Sequence, residues 1–189
     1  MLQTPPALPG DTEEAIDTPA LLLDLDAFEA NLDTMARRLD GTGVRLRPHA
    51  KTHKSATVAR MQIARGAVGQ CVQKLGEAEA LAWGGIGDIL ISNEVVGRAK
   101  LRRLAGLTRL ASVAVCVDDA EQIVALEQVA EAAGTRIETL VEIEIGMGRC
   151  GTDPGPPAVA LAERIARSPH LGFAGLQAYH GKAQHQRTA

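Results

Sequence analysis

Lys51 is the residue with the clearest chemical potential in this sequence, and it lies in the basic stretch RPHAKTHKS. Arg47, His49, His53 and Lys54 surround it within that stretch. Crowded positive charges and partial burial destabilise an ammonium group and leave more of the neutral amine. A neutral lysine amine can attack a carbonyl carbon and form a Schiff base. The alternative interpretation is a solvated basic loop or a general anion-binding patch.

A glycine motif follows an apolar run in VEIEIGMGRCGTDPGPP, where Gly146, Gly148 and Gly151 spell G-x-G-x-x-G. A dinucleotide fingerprint needs a helix that begins inside the motif and an acidic residue at the end of the next strand. Here TDPGPP delays the helix until about Pro157, and the next strand has no carboxylate. The motif therefore predicts a tight turn at a strand end, which leaves Arg149 as a candidate site residue.

Polar side chains follow the other predicted strands as well. Their combined chemistry is basic, with imidazoles, one tyrosine and few acids, which suits a phosphorylated or carboxylated small molecule. The two histidines near the end of the chain have a plainer interpretation as solvated residues. The strand-end residues are Gln73, Lys74, Ser92, Asn93, Glu94, Gln177, Tyr179, His180, Lys182, Gln184 and His185.

Six short runs rich in β-branched and apolar residues must position these side chains. They cover residues 44–48, 67–72, 88–92, 112–117, 138–145 and 171–177, with amphipathic helical stretches between them. Most begin about 20–25 residues apart, which is a βα period. Either an open doubly wound sheet or a (β/α)8 TIM-type barrel fits, and the even spacing favours the barrel. A barrel needs eight strands, so we expect an open sheet or an incomplete barrel.

The first part of the chain has a different pattern. Residues 1–17 are rich in proline and acidic residues, and we expect an extended arm without a signal peptide. The apolar run from Pro19 to Leu25 predicts a strand. Asp26 is then expected to cap a helix that runs to about Leu39.

Composition excludes several classes of function. The net charge of −3 gives no general electrostatic case for nucleic acid, so no such partner is expected. No apolar run of about 18 residues exists, which predicts no membrane span. The three cysteines form no C-x-x-C pair, which favours a reducing compartment, here the cytoplasm.

Five stretches together resemble one known family of enzymes. They are TPALLLDLDAFEANL, RPHAKTHKS, QCVQKLGEAEALAWGGIGDILISNEVV, VEIEIGMGRCG and LQAYHGKAQH, in order over nearly the whole chain from about Pro6. The family comprises D-threonine aldolases, 3-hydroxy-D-aspartate aldolases and D-serine dehydratases. The resemblance implies an alanine-racemase-like barrel of fold type III that binds pyridoxal 5'-phosphate (PLP). The stretches PALPG and VCVDDAEQI are most similar to the 3-hydroxyaspartate aldolase branch.

The resemblance also implies roles for single residues. Lys51 matches the lysine that forms the internal aldimine with PLP. Arg149 matches the arginine that faces the pyridine nitrogen, and Tyr179 matches a tyrosine of the cofactor pocket. His185 matches a histidine that acts as a base near the substrate hydroxyl. Gln73 and Asn93 lie in matched strand-end segments and are also expected in the pocket.

The implied reaction is retro-aldol cleavage of a D-β-hydroxy amino acid, of the 3-hydroxy-D-aspartate or D-threonine type. Its products are glycine and an aldehyde, and a divalent metal (Mn, Mg or Zn) polarises the substrate hydroxyl. D-serine dehydratase-type elimination of the β-hydroxyl as water is the alternative within the family. A non-catalytic PLP-binding barrel is a second alternative, and a Rossmann oxidoreductase is disfavoured by the glycine motif.

The resemblance implies that family members continue beyond the end of this sequence. The further parts are two more barrel strands with the phosphate-binding loops, and a C-terminal β-domain with the metal ligands. We therefore expect residues 26–189 to form a partial PLP-binding barrel, and residues 18–25 to form a strand that pairs with that β-domain. The full-length protein is expected to be a homodimer, and the 189-residue chain alone to have little activity.

Overall fold

The computed structural model describes residues 5–187, and the chain divides into a first unit that ends at Thr42 and a second that begins at Gly43. The first unit contains a 3₁₀ helix, Glu13–Ala15, and helix α1, Leu25–Leu39. Residues 19–24 form no strand with any described part of the chain. The expected pairing of residues 18–25 with a C-terminal β-domain and the domain boundaries stay predictions, and residues 1–4 lie outside the described part.

The capping residue of α1 is Asp24, so the prediction of Asp26 is wrong. The Asp24 side chain accepts a hydrogen bond from the backbone N–H of Ala27 at 2.9 Å. Asp24 has an extended backbone, φ −68° and ψ 109°, as an N-cap requires, whereas Asp26 already lies within the first turn. Both aspartates have suitable side chains, and only the backbone conformation separates them.

Five parallel strands form the sheet of the second unit, in the spatial order β1-β2-β3-β4-β5. Every one of them falls on a run predicted from the sequence. Each strand pairs with its neighbour along the chain, which is the order of a (β/α)8 barrel and not of a doubly wound sheet, where the order reverses. The strands are β1 Gln70–Val72, β2 Asp88–Glu94, β3 Ser112–Val117, β4 Ile137–Ile143 and β5 Leu171–Ala178.

The remaining predicted run, residues 44–48, is not a strand, so the prediction of six strands is wrong by one. It lies beside β1 with sparse hydrogen bonds: Leu46 C=O accepts from the Val68 N–H at 2.9 Å, and Pro48 C=O accepts from the Cys71 N–H at 2.7 Å. The only β-bridge between this part of the chain and β1 joins His49 and Cys71. Pro48 has no N–H to donate, which interrupts the ladder where a strand would need it.

Five helices alternate with these elements, and from α3 to α6 each helix contacts the next. They are α2 Ala56–Ala64, α3 Leu75–Trp83, α4 Arg98–Leu107, α5 Ala120–Ala133 and α6 Pro156–Arg167. Within residues 5–187, no helix has the length and apolar character that a membrane crossing requires.

The core of the second unit lies between the sheet and these helices. Strand residues such as Ile89, Val115 and Val141 are fully buried, as are Leu104 and Ile123 on the helices. β1 is buried throughout and β3 over most of its length, whereas buried and half-buried positions alternate in much of β2 and β4, and β5 is buried only at its first two residues. The carboxyl ends of all five strands share one edge of the sheet. The predicted site residues lie at or after these ends, except Lys51, which follows the run 44–48 beside β1.

Candidate active site

A cleft with a volume of about 390 Å³ opens at the carboxyl edge of the sheet. Four of the predicted site residues line it together: Lys51, Gln73, Arg149 and Tyr179. They come from segments far apart in the sequence, and the parallel sheet brings them to one place. Residues that the strand-end pattern left out also line it, namely Arg45, Cys71, Leu90 and Glu142.

The other two predicted residues do not line this cleft. Asn93 lies at an adjoining cavity of about 480 Å³ and donates a hydrogen bond from Nδ2 to the Gln73 carbonyl oxygen at 3.2 Å. Gln73 lines both cavities, so the two are neighbours. His185 ends an exposed 3₁₀ helix, Gly181–His185, beyond β5. The roles of Asn93 and His185 in catalysis or binding stay predictions.

Lys51 lies in an exposed turn that the local hydrogen bonds define. Its backbone N–H donates to His49 Nδ1 at 3.2 Å, and its carbonyl oxygen accepts from Lys54 Nζ at 2.6 Å. His49 must carry its own proton on Nε2 to accept this bond, which is the neutral imidazole. The turn thus presents the Lys51 side chain at the edge of the cleft while its backbone is held.

The positive charge around Lys51 is smaller than the sequence suggests. Burial lowers the pKa of His49, with a further contribution from the Lys51 charge, and burial also lowers the pKa of His53. Arg47 forms a 2.8 Å ion pair with Asp88, and Lys54 lies 3.8 Å from the Glu77 carboxylate. Most of the expected crowd of cations is therefore neutral or paired.

The glycine motif forms a loop that closes on its own strand. The backbone N–H groups of Gly146, Met147, Gly148 and Arg149 all donate to the Glu144 carboxylate. These donors are not free for a pyrophosphate, and α6 begins only at Pro156, after the motif. Both observations exclude the dinucleotide fingerprint, as the sequence analysis predicted.

The end of the loop is fixed as firmly as its beginning. The Glu144 N–H donates to the Thr152 carbonyl oxygen at 2.9 Å, and the Gly151 N–H donates to Asp118 Oδ2 at 2.9 Å. Gly151 has φ +105°, and a Cβ at this position would lie 2.5 Å from the Glu144 nitrogen. Only glycine allows so close an approach of two backbone segments.

Arg149 and Tyr179 contact each other across the ends of β4 and β5. The guanidinium carbon lies 5.3 Å from the centroid of the tyrosine ring, within the range of a cation–π interaction. Both residues are exposed on the side of the cleft. The ring thus supports a fixed positive charge at the cleft wall.

A buried acid behind Arg149 was missed by the sequence analysis. Glu142 is only 4% exposed. Its burial, reinforced by the nearby Glu94 charge and opposed by Arg149, raises its pKa to about 7. Burial and Glu142 in turn raise the pKa of Cys116. The only sign of it in the sequence is that an acidic residue interrupts the apolar residues of β4.

Glu142 also belongs to a group that brings ligand atoms together. One such atom each from Glu94, Glu142 and Cys150 lies within 4.8 Å of the others. The raised pKa of Glu142, which burial causes and the Glu94 charge reinforces, favours the protonated carboxyl group, whereas a metal ligand must be ionised. The group therefore gives no reason to assign a metal ion.

Comparison with known proteins finds relatives that are named as enzymes. It is 50% identical over 184 residues to a D-threonine aldolase from Arthrobacter sp., covering 97% of this chain and 48% of that one. It is 47% identical over 182 residues to a 3-hydroxy-D-aspartate aldolase from Paracoccus denitrificans, covering 95% and 47%. A D-threo-3-hydroxyaspartate dehydratase from Delftia sp. is more distant, at 35% identity over 162 residues, covering 86% and 42%.

A solved structure agrees with these relatives. The crystal structure of D-threonine aldolase from Filomicrobium marinum matches with a TM-score of 0.95 and 54% identity, over 98% of this chain and 50% of that one. The chain spans about half the length of the relatives it matches. The model of the family described as alanine racemase, N-terminal domain, matches residues 23–189. The chain therefore belongs to the alanine racemase N-terminal domain family, as its resemblance and its sequential parallel sheet predicted.

Proposed function

We propose that this chain is the cofactor-binding part of a PLP-dependent lyase that cleaves a D-β-hydroxy amino acid by a retro-aldol reaction. Substrates of the D-threonine or 3-hydroxy-D-aspartate type would give glycine and an aldehyde. The observation that carries the proposal is that Lys51, Arg149 and Tyr179 line one cleft at the carboxyl edge of the sheet. The names of the relatives support the same chemistry.

The chemistry of the cleft fits PLP, which is an anionic aldehyde with an aromatic ring. Lys51 offers an amine, Arg45 and Arg149 offer positive charge, and Tyr179 offers a ring, and all four line the same cleft. The volume of about 390 Å³ lies in the range of small-molecule sites. When bound, PLP supplies a sink for the electron pair released as the Cα–Cβ bond breaks.

The residues proposed for the site would bind the cofactor, orient it and accept a proton from the substrate. Lys51 would hold the cofactor covalently through Nζ. Arg149 would face the pyridine nitrogen, and because an arginine does not give up a proton, that nitrogen would stay unprotonated. Tyr179 supports the guanidinium from the opposite side. His185 is proposed as the base that takes the β-hydroxyl proton.

A divalent metal belongs to the same proposal, because a cation that polarises the substrate hydroxyl would help to remove its proton. The described residues do not fit that role. Among residues 5–187, the grouped ligand atoms are those of Glu94, Glu142 and Cys150, and the raised pKa of the buried Glu142 disfavours the ionised carboxylate that a metal would need. No step is therefore assigned to a metal held by residues 5–187.

The chain by itself is proposed to have little activity. Lys51, Arg149 and Tyr179 are all exposed, so the cleft does not exclude water from a reacting molecule. We further propose that the full-length protein is a homodimer that acts on a D-amino acid. Dehydration of the β-hydroxyl remains the second candidate, and it is less favoured because the dehydratase is the more distant relative.

The test of the proposal is covalent loading with PLP. The purified chain is incubated with PLP, its visible absorbance is recorded, and the adduct is trapped by borohydride reduction and located by mass spectrometry. We expect an adduct on Lys51 that is absent from Lys51→Ala and present in Lys182→Ala, a matched control at another strand end. An adduct elsewhere, or no adduct in the unmodified chain, would overturn the proposal.

Product analysis separates the two candidate reactions. Retro-aldol cleavage yields glycine and an aldehyde, whereas elimination of water yields ammonia and a keto acid. We expect any residual turnover of 3-hydroxy-D-aspartate or D-threonine by the loaded chain to give glycine. Ammonia in place of glycine would favour the dehydratase.

A further inference from the structure

The Glu144 carboxylate binds the backbone of the glycine loop with an unusual concentration of hydrogen bonds. Its Oε1 accepts from Met147 N–H at 2.6 Å and also from Gly146 N–H. Its Oε2 accepts from Gly148 N–H at 2.7 Å and from Arg149 N–H at 3.1 Å. Four successive peptide N–H groups thus point at one carboxylate, in the manner of an anion-binding nest whose anion belongs to the chain itself.

The backbone that follows Arg149 is held by a second acidic residue, Asp118. Gly151 N–H donates to Asp118 Oδ2 at 2.9 Å, and Asp118 itself is held by Gln122, whose Nε2 donates to Oδ1 at 3.0 Å. Asp118 follows β3 and Glu144 follows β4, so both anchors stand on the sheet. Arg149 therefore lies between two fixed points of the backbone.

We propose that Glu144 is a positioning residue, whose carboxylate fixes the backbone of residues 146–149 and thereby holds the Arg149 guanidinium at the cleft. The proposal deepens the proposed function and rests on it where Arg149 is taken to face PLP. Glu144 does not line the cleft, so it acts through Arg149 and not on a bound molecule. The Tyr179 ring completes the placement from the side of β5.

The loop needs a carboxylate and not merely a polar group. Each Glu144 oxygen accepts two N–H groups, and an ionised carboxylate offers acceptors only. Glutamine would replace one oxygen by an NH₂ group, which would face two N–H donors without an acceptor between them. These bonds, led by that from Gly146, also lower the pKa of Glu144, so it is ionised near neutral pH.

The first experiment needs no cofactor. Amide hydrogen exchange of residues 146–149 is measured by NMR in the unmodified chain and in Glu144→Gln. We expect exchange at these amides to become on the order of tenfold faster or more, since their acceptor is lost. Asp153→Asn is the matched control, because it removes an equal charge from an exposed position just after the same loop. Unchanged exchange in Glu144→Gln would overturn the proposal.

The second experiment asks whether Glu144 acts through Arg149. Apparent PLP affinity is measured for Glu144→Gln, Arg149→Ala and the double variant. We expect each single change to weaken affinity about tenfold, and the double variant to match Arg149→Ala within about twofold. A double variant whose PLP affinity is about a hundredfold weaker, the product of the two single effects, would overturn the proposal.

The two proposals fail in different ways. If the unmodified chain forms no Lys51 adduct, the proposed function fails, while the amide exchange still tests the anchoring of the loop. If the adduct forms and the changes at Glu144 and Arg149 are additive, only the positioning role fails. Should Glu144→Gln not fold, Glu144→Asp takes its place in both experiments, because it keeps the carboxylate but withdraws it by one methylene.

Discussion

Arg149 and Tyr179, which follow two neighbouring strands, form a cation–π pair with the guanidinium carbon 5.3 Å from the ring centroid. Neither residue could reach the other without the parallel pairing of β4 and β5. The pair fixes where positive charge stands in the cleft wall. Removal of this contact should change the affinity of the chain for PLP.

Tyr179→Phe should leave PLP affinity almost unchanged, because the ring face is kept and only the hydroxyl is lost. Tyr179→Ala should weaken affinity about two- to fivefold, as expected for an exposed cation–π contact of about 0.5–1 kcal/mol. Titration of the chain with PLP, followed by absorbance, measures both. Equal affinities for Phe and Ala at this position would show that the ring does not support Arg149.

Replacement of the buried Glu142 should change stability in a pH-dependent way. The folded state holds the Glu142 proton up to about pH 7, whereas the ordinary pKa is 4.5, so folding takes up a proton between these values. The stability of the unmodified chain therefore falls as pH rises through this window. Glu142→Gln is neutral throughout and should be more stable above pH 7, on the order of 1–3 kcal/mol, with little difference below pH 4.5.

Urea unfolding at pH 4.5 and pH 8 measures this difference. The groups that act on Glu142 are Glu94, Asp118, Arg149 and Cys116. Glu94→Gln removes a charge that raises the Glu142 pKa, so it should weaken the pH dependence in the otherwise unmodified chain. The same stability difference between Glu142→Gln and the unmodified chain at both pH values would contradict the raised pKa of the buried Glu142.

Gly151→Ala should destabilise the second unit more than Gly148→Ala, although both glycines have positive φ. A Cβ at Gly151 would collide with the Glu144 backbone, whereas Gly148 has open space around it. We expect a loss in the free energy of unfolding on the order of 2–4 kcal/mol at Gly151 and about 1 kcal/mol at Gly148. Urea denaturation compares them, and equal losses would show that the loop does not close as described.

Asp24→Ala should loosen the start of α1, with a cost of about 1 kcal/mol for the lost cap. Asp26→Ala should cost less, since Asp26 contributes only a favourable charge within the first turn. Amide exchange at Ala27 measures the effect directly, because its N–H donates to Asp24. A larger effect at Asp26 would restore it as the capping residue.

Period and position in the sequence predicted the fold and which polar residues gather at one edge of the sheet, whereas the roles of those residues stay predictions. Regular βα spacing predicted the parallel sheet, and residues that follow the predicted runs, such as Lys51 and Arg149, were expected at the same edge; both line one cleft. Glu142, which lies inside β4, and Glu144, which directly follows it, were missed because neither charge has a local signal of its partner. Their contacts with Glu94 and with the loop backbone exist only in three dimensions.

Two local errors had local physical causes. Asp24 and Asp26 offer the same side chain, and the choice between them depends on backbone angles that composition does not encode. The run from Val44 to Pro48 has the composition of a strand, but Pro48 cannot donate to a ladder. Both cases concern the ends of elements, where a single hydrogen bond decides the boundary.

The sequential strand order bears on how this protein folds. Every strand pairs with its neighbour along the chain, so each pairing closes a loop that contains one helix and two connections, which are short except for residues 144–155 after β4. The entropy of closing such a loop is modest, and no strand waits for a distant segment. A ribosome that delivers the chain from its amino end would release each βα unit next to a strand already in place. Assembly can therefore proceed in the direction of synthesis, strand by strand.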